Sequence, residues 1–450
     1  MAMTSSASVS FAGGAGTGAG AGAGAGAAST TQAASASEHK AEGMVTIDLG
    51  RPAELGHSPV DVLADAIEAH DIPESDHFEL FQKIRLAMLL PDAAARRQLI
   101  VCRLLALATY AHTCPESKAA TQLFLYEPDV VPRTAALVDP ARKLPQDIVS
   151  SALYALDALG RYKSRLAEVL AALNTSVNHG ILLHLLRQLI DDLATGAPAS
   201  SEFFVDALYG ILSFVTSTSN GNSMVVGAGL VQLLVALVKT GRTDTYMVQR
   251  SVTRAIGLID TVIYTNPHAF TIYCQAQGPD VFVGRIEHEV QADLALGASQ
   301  SSQEDSGIGS SSSSSSGSRS SDDKDAIYGR LSFGKANLLR QYLKSITHMM
   351  STAGTADGLR NLIDGSLPAS IKTMMEHRRV FGPQVVAYAI NVMATFVHNE
   401  PTSLAVVQEK KLPEAFVRFV EDDIEASYDV ICAIPNAVGA LCLNQAGWTC

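Results

Sequence analysis

From Phe78 to Asn444 apolar residues return at intervals of three and four along one helix-length segment after another. Residues spaced i, i+3, i+4 and i+7 share one face of an α-helix. Ile148, Ala152, Leu156 and Leu159, under a Pro145 entry, fit that template, as do Leu339, Leu343, Ile346 and Met350. Val385, Ala389, Val392 and Phe396 follow a Gly382-Pro383 break and make a third case. The pattern predicts helices over about Gln98 to Tyr110, Asp147 to Leu173, His179 to Leu193, Glu202 to Val215, Leu230 to Val238 and Met247 to Tyr264, with further helices from Tyr328 onward. No strand is expected anywhere.

A turn motif recurs between these segments. Gly229-Leu230-Val231-Gln232-Leu233-Leu234 and Gly278-Pro279-Asp280-Val281-Phe282-Val283 both open an apolar helix, and Lys411-Leu412-Pro413-Glu414-Ala415-Phe416 is a looser echo. The offset from Gly229 to Gly278 is 49 residues, slightly above the ~40 to 47 of armadillo and HEAT units. The expected fold is therefore all-α, an armadillo/HEAT-like helical solenoid, whose length grows by stacking and not by adding separate cores.

Two stretches interrupt the pattern. Residues 1–77 are expected to be low-complexity and mostly disordered: the Gly-Ala alternation from Gly16 to Ala27 buries nothing and loses much backbone entropy on ordering. Within them Val62, Leu63, Ala66 and Ile67 could line a short helix ending before Pro73. Residues 297–325, with a serine run at Ser310 to Ser316 and an Asp322-Asp323 pair, read as a flexible linker. It is expected to divide a first helical block, 78–296, from a second, 326–450.

Composition narrows the function. Charged residues are 17% of the chain, against about 25% in an ordinary globular protein, so polar surface is scarce. A net charge of −12 speaks against nucleic acid, whose affinity rests on Lys and Arg neutralising phosphates; Arg96-Arg97 and Arg378-Arg379 read as solvated helix faces. Cys102, Cys114, Cys274, Cys432, Cys442 and Cys450 include no Cys-x-x-Cys pair, so they read as reduced, mostly buried thiols of a cytoplasmic or nuclear protein. Met1 to Ala36 has neither Lys nor Arg and does not resemble a secretory signal. The longest apolar stretch, Met224 to Val238, is shorter than the ~20 residues of a membrane span, so no membrane segment is expected.

No catalytic, cofactor-binding or metal-binding residue emerges. The Gly-rich start has no strand before it and no helix after it, as a dinucleotide loop would need. Glu287-His288-Glu289 lacks the second histidine of a zincin helix, since the partner position is Ala292, and reads as a solvated helix end. His112, His179, His348 and His398 have no nucleophile at a recognisable spacing. Leu182-Leu183-His184-Leu185-Leu186 spells a partner-docking LxxLL, but the same leucines form the stripe a repeat helix needs for its own core. Asp305-Ser306-Gly307-Ile308-Gly309-Ser310 resembles the phosphodegron read by WD-repeat F-box adaptors. It makes Ser306 and Ser310 candidate phosphorylation sites, where two phosphates would add about three to four negative charges.

The stretch Tyr428-Asp429-Val430-Ile431-Cys432-Ala433-Ile434-Pro435-Asn436-Ala437-Val438-Gly439-Ala440-Leu441-Cys442-Leu443-Asn444 resembles a signature of giant HECT-type E3 ubiquitin ligases, the Tom/UPL/HUWE class. Leu173-Asn174-Thr175-Ser176-Val177-Asn178-His179-Gly180-Ile181-Leu182 and Phe282-Val283-Gly284-Arg285-Ile286-Glu287-His288-Glu289-Val290 agree with it, in the family's order. The resemblance marks His179, Gly180, Arg285, Glu287, His288, Pro435, Asn436 and Gly439 as structural signature positions. It implies an N-terminal armadillo-like scaffold that presents protein partners or ubiquitination substrates to a distant HECT domain, itself non-catalytic and without cofactor. Gly447-Trp448-Thr449-Cys450 departs from the family's continuation, so a truncated chain that self-associates through its C-terminal end is expected. A stand-alone armadillo-like adaptor with no role in ubiquitin transfer is the alternative.

Overall fold

The computed structural model describes residues 8–12, 44–49, 57–89, 92–114, 123–174, 180–196, 200–240, 245–304, 331–352, 362, 365–399, 403–422 and 427–443. His179, Ser306, Ser310 and residues 444–450 lie outside them, as do the Gly-Ala tract and most of the expected linker. The chain forms two compact units, 1–106 and 107–450.

The first unit is more ordered than its composition suggests. Strands β1 (Ser8–Ala12) and β2 (Met44–Asp48) pair antiparallel with Ser8 opposite Asp48 and Phe11 opposite Val45. Helices α1 (Pro59–His70) and α2 (Glu74–Leu89) follow. Ile47, Leu49, Val62, Ala66, Leu80 and Ile84 form one small core. The expectation of a mostly disordered 1–77 is therefore corrected for residues 44–49 and 57–77. Ser58 and Asp61 form a reciprocal capping box at the start of α1, and Ser58-Pro59 before an apolar stripe is a readable helix start. α3 (Ala93–Thr113) contains the division between the units.

The second unit is a helical solenoid. Its helices are α4 (Val130–Ala135), α5 (Gln146–Gly160), α6 (Lys163–Asn174), α7 (Ile181–Thr195), α8 (Glu202–Ser217), α9 (Ser219–Gly227), α10 (Leu230–Lys239), α11 (Tyr246–Thr265), α12 (Pro267–Gln275), α13 (Gly278–Glu304), α14 (Phe333–Thr352), α15 (Leu367–Glu376), α16 (Arg378–Asn399), α17 (Ser403–Glu409), α18 (Leu412–Glu421) and α19 (Tyr428–Cys442). They build two ladders. In one, α5, α8, α11, α14, α16 and α19 pack each upon the next; in the other, α6, α7, α10, α13, α15 and α18 do the same. Short helices α9, α12 and α17 complete three-helix repeats of armadillo type. We call the members of the first ladder third helices.

The repeat length is written in the hydrogen bonds. Tyr246 to Glu202, Arg250 to Asp206, Asn266 to Asn222 and Arg340 to Gln384 each join residues 44 apart, inside the ~40 to 47 of armadillo and HEAT units. Four of the six second-ladder helices open on a left-handed residue. Gly180, Gly229, Gln277 and Lys411 have φ of 107°, 99°, 58° and 56° and open α7, α10, α13 and α18. In the second of the recurring turns the left-handed position is thus Gln277 and not Gly278. Gly278 is small for another reason, because a Cβ there would stand 2.0 Å from the Tyr273 ring.

The apolar stripes read from the sequence are buried: Ile148, Ala152, Leu156 and Leu159 on α5, Leu339, Leu343, Ile346 and Met350 on α14, and Val385, Ala389, Val392 and Phe396 on α16. Each Ile, Leu, Val, Met or Phe among them contributes about 1.5 to 3 kcal/mol. Leu182, Leu183, Leu185 and Leu186 are core residues of α7, so the LxxLL string is spent on packing. Three expectations change. The single helix expected over Asp147 to Leu173 is two, because the chain turns after Gly160, where a Cβ would meet Phe214 at 2.6 Å. The Tyr162 hydroxyl pins that turn, its one proton shared between the carbonyls of Ala111 and Cys114 at 3.0 and 2.7 Å. α13 continues to Glu304, into the expected linker. Helices before and after 305–330 also pack in one compact unit, since α14 lies against both α11 and α13. The segment is an insertion between the second and third helices of one repeat, and it does not divide two blocks.

The span Arg378–His398 is long and apolar enough to cross a membrane, but it is 67% buried and breaks at Gly382, with φ 78° and ψ 162°. That is the signature of a core helix. Met224 to Val238 falls on α9 and α10, which bend by 64° to each other.

Candidate protein-binding face

Four of the six third helices carry an exposed aromatic side chain in their first turn. Phe203 on α8, Tyr246 on α11, Phe333 on α14 and Tyr428 on α19 are all exposed. Phe203 meets Tyr154 of α5 edge-on, with ring centroids 6.4 Å apart. Tyr154 in turn meets His112 at 5.4 Å. A cleft of about 390 Å³ opens between α8, α11 and α14; Ser213, Arg250, Arg254, Gly257, Asn337 and Gln341 line it together with Tyr246 and Phe333.

One carboxylate organises the basic wall of the cleft. Arg250 donates to Asp206 from Nε at 3.2 Å and from Nη2 at 2.6 Å, and from Nη1 to the Tyr246 hydroxyl at 2.8 Å. Arg254 donates from Nη2 to the same Asp206 at 3.1 Å. Hydrogen bonding to Asp206 pushes the pKa of Arg250 above its ordinary value. Glu202 lies 3.1 Å from Arg250. Such bidentate pairs fix geometry as well as charge.

A second polar cluster is buried. On α13, Arg285 pairs with Glu289, and Asp293 one turn later pairs with Lys335 of α14. Arg285, Glu289 and Asp293 are all buried. Burial raises the Asp293 carboxyl pKa, and Lys335 pulls it partly back. Tyr273 and Tyr342 are buried beside Phe282, with edge-on rings at 5.6 and 5.3 Å. Burial pushes both phenols upward.

No catalytic constellation forms among the described residues. His348 donates from Nδ1 to Asp260 at 3.0 Å and lies flat on Tyr264, with centroids 5.0 Å apart. A nucleophilic triad needs a hydroxyl at the far ring nitrogen, whereas the Ser345 hydroxyl lies 3.5 Å from Asp260 itself. The set is a brace between α11 and α14. Among the described residues no group of three or more His, Cys, Asp and Glu could hold a metal ion. The thiols are not mostly buried as expected: Cys102, Cys432 and Cys442 are exposed and Cys114 and Cys274 intermediate. Cys432 and Cys442 fall on the outer side of α19, whose inner side packs on α16.

The signature residues do not converge. Gly180 forms the left-handed entry to α7, where a Cβ would lie 3.3 Å from the Leu173 carbonyl. Arg285 is buried mid-helix, while Glu287 and His288 are exposed on the same helix. The expected solvated helix end is therefore corrected: Glu289 is an interior ion-pair partner, and of the three residues only Glu287 and His288 face water. Pro435, Asn436 and Gly439 line the exposed side of α19. Sequence reasoning missed Asp206, Arg250, Arg254, Asp293 and Lys335. Arg250 lies 44 residues beyond Asp206, and a register taken from the left-handed turns would have paired the two helices.

Residues 5–191 match the family described as Domain of Unknown Function (DUF908), and residues 253–450 the family described as Domain of Unknown Function (DUF913). The E3 ubiquitin-protein ligase ptr1 of Schizosaccharomyces pombe is 33% identical over 419 residues, 92% of this chain and 12% of ptr1. This chain belongs with the helical region of the large E3 ubiquitin-protein ligases. UPL2 of Arabidopsis thaliana is 26% identical over 90% of the chain, and HUWE1 of Mus musculus 24% over 88%; the chain spans 11% and 9% of them. It thus spans about a tenth of the length of these ligases. Among solved structures, a computationally designed armadillo repeat protein superposes on 69% of this chain and 99% of its own, at 13% identity and a TM-score of 0.41. The solenoid assignment rests on the ladders and the 44-residue register above.

Proposed function

We propose that this chain is a non-catalytic scaffold of a HECT-type E3 ubiquitin ligase, forming the ligase's N-terminal part and holding protein partners or substrates for ubiquitination in the cytoplasm or nucleus. The observation that carries the reading is the alignment of almost the whole chain with ptr1, joined to a third-helix face that exposes rings and arginines where an enzyme would gather acids and bases. Helical solenoids use such extended faces for binding. Exposed aromatic and arginine side chains are the residue types that dominate binding energy at protein interfaces.

The test is a chimera. The aligned region of ptr1 is replaced by this chain in S. pombe cells that lack that region. Restored ubiquitination of ptr1 substrates is expected. A chimera that accumulates normally yet behaves as the deletion would overturn the scaffold reading.

A further inference from the structure

We infer that the first turn of α14 is a latch on the cleft: Lys335, seated on the buried Asp293 of α13, holds the turn folded, and its release carries Phe333 and Gly334 out of the cleft wall. The latch stands on its own observations; its consequence for binding rests on the protein-binding reading above.

Local chemistry gives this turn little reason to be helical. An acidic side chain suits the first turn of a helix, where the backbone presents the positive end of its dipole. α5, α8 and α19 follow that rule with Asp147, Glu202 and Asp429. α14 has no acidic residue there and carries Lys335 instead, a charge of the opposite sign. Gly334 beside it is among the poorest helix formers. The cap is weak as well: the Ser332 hydroxyl lies 3.5 Å from the Lys335 amide, against about 2.9 to 3.0 Å for a good N–H···O bond. Phe333 does not anchor the turn, since it is 74% exposed.

Tertiary contacts supply what the turn lacks. The Lys335 ammonium donates to Oδ1 of Asp293, 42 residues earlier, and the Asp293 side chain is fully buried. The second oxygen, Oδ2, is buried without a hydrogen bond among the described residues, so this carboxylate depends on Lys335. Gly334 fits against the buried Gln249 of α11, whose Oε1 would stand 2.2 Å from a Cβ. Phe333, Gly334 and Gln249 all line the cleft. A buried ion pair gains about as much from mutual attraction as it loses in hydration, whereas removing one partner strands the other. The bond therefore fixes the turn without adding much net stability, and opening returns both charges to water. The rest of α14 is held by its own buried stripe of Leu338, Leu339, Leu343, Ile346 and Met350, so the turn opens alone. The cleft thus has a closed form, walled by the Phe333 ring, and an open form without it.

Hydrogen exchange followed by mass spectrometry on the full chain tests this. The amides of residues 336–338 bond to carbonyls of the cap and first turn and report opening, while those of residues 345–350 report the body of the helix. In Asp293→Asn and in Lys335→Met, exchange at 336–338 is expected to rise about tenfold or more over wild type, with 345–350 changed by less than about twofold. Gln249→Cys gives a second readout, since adding Lys335→Met should speed maleimide labelling of that thiol by a similar factor. Lys83→Met, at an ion pair in the first unit, should change neither rate. If one latch variant unfolds, the other decides. Exchange that rises equally along all of α14, wild-type rates at 336–338 or at the thiol, or unfolding of the second unit by both variants would overturn the latch. None of these results bears on the chimera, so failure of the latch and failure of the scaffold reading are told apart.

Discussion

Arg250 and Asp206 form a two-pronged bond across one repeat, Nε and Nη2 of the guanidinium donating to the two carboxylate oxygens at 3.2 and 2.6 Å. The pair ties α11 to α8 and holds the basic wall of the cleft. Their side chains are 25% and 34% exposed, so solvent screens them in part. Asp206→Ala should cost about 1 to 2 kcal/mol, measured by urea unfolding. The double variant with Arg250→Ala should show coupling of about 1 kcal/mol; purely additive losses would mean that the bond is incidental.

Asp293 should give an unusual pH response. Burial raises its carboxyl pKa above the unfolded value, so its contribution to stability is fully present below the ordinary carboxylate range and is lost as pH rises through the folded pKa. The stability of wild type relative to Asp293→Asn should therefore increase as pH falls from neutrality towards about 4. A difference that instead grows with pH would show that pairing with Lys335 outweighs burial.

Cutting the chain inside 305–330 should not separate the pieces. α14 packs on α11 and α13, and Lys335 pairs with Asp293 across the insertion. With a specific protease site introduced there, the two fragments should co-elute on size exclusion after cleavage. Separation without denaturant would restore a two-block division.

The outer side of α19 should drive self-association of the isolated chain. Ile431, Val438 and Leu443 are 53%, 44% and 70% exposed, while Val430, Ala433, Ala437 and Leu441 face inward. Ile431→Asp with Val438→Asp should shift sedimentation towards monomer without unfolding, whereas Leu441→Asp should unfold the last repeat. A wild-type chain that sediments as a monomer at every concentration would refute this.

Incubation with activating enzyme, conjugating enzyme and ubiquitin should give no thiol-sensitive adduct. Exposure alone does not activate Cys102, Cys432 or Cys442, because a nucleophilic cysteine also needs its thiolate stabilised, and burial raises the Cys274 thiol pKa further. An adduct abolished by changing any single cysteine to Ser would establish a catalytic thiol.

The sequence by itself determined the helices and their inward faces. The stripe from Ile148 to Leu159 and the break at Gly382-Pro383 depend on local periodicity and on φ, which neighbouring residues fix. The signature around Arg285 and Pro435 was legible in the same way, as a string. Only the tertiary structure decided which helices are neighbours. The expected linker hid the partnership of α13 and α14, since composition shows where a chain gains nothing by packing but not which flanking elements meet. The cleft was hidden for a related reason: Asp206 on α8 and Arg250 and Arg254 on α11 are ordinary charged residues, brought together by a 44-residue register that emerges once the repeats stack. Likewise Glu289 and His288 are adjacent in sequence, yet one is buried in an ion pair and the other faces water. A helix turns about 100° per residue, and the packing partner decides which of two neighbours it covers.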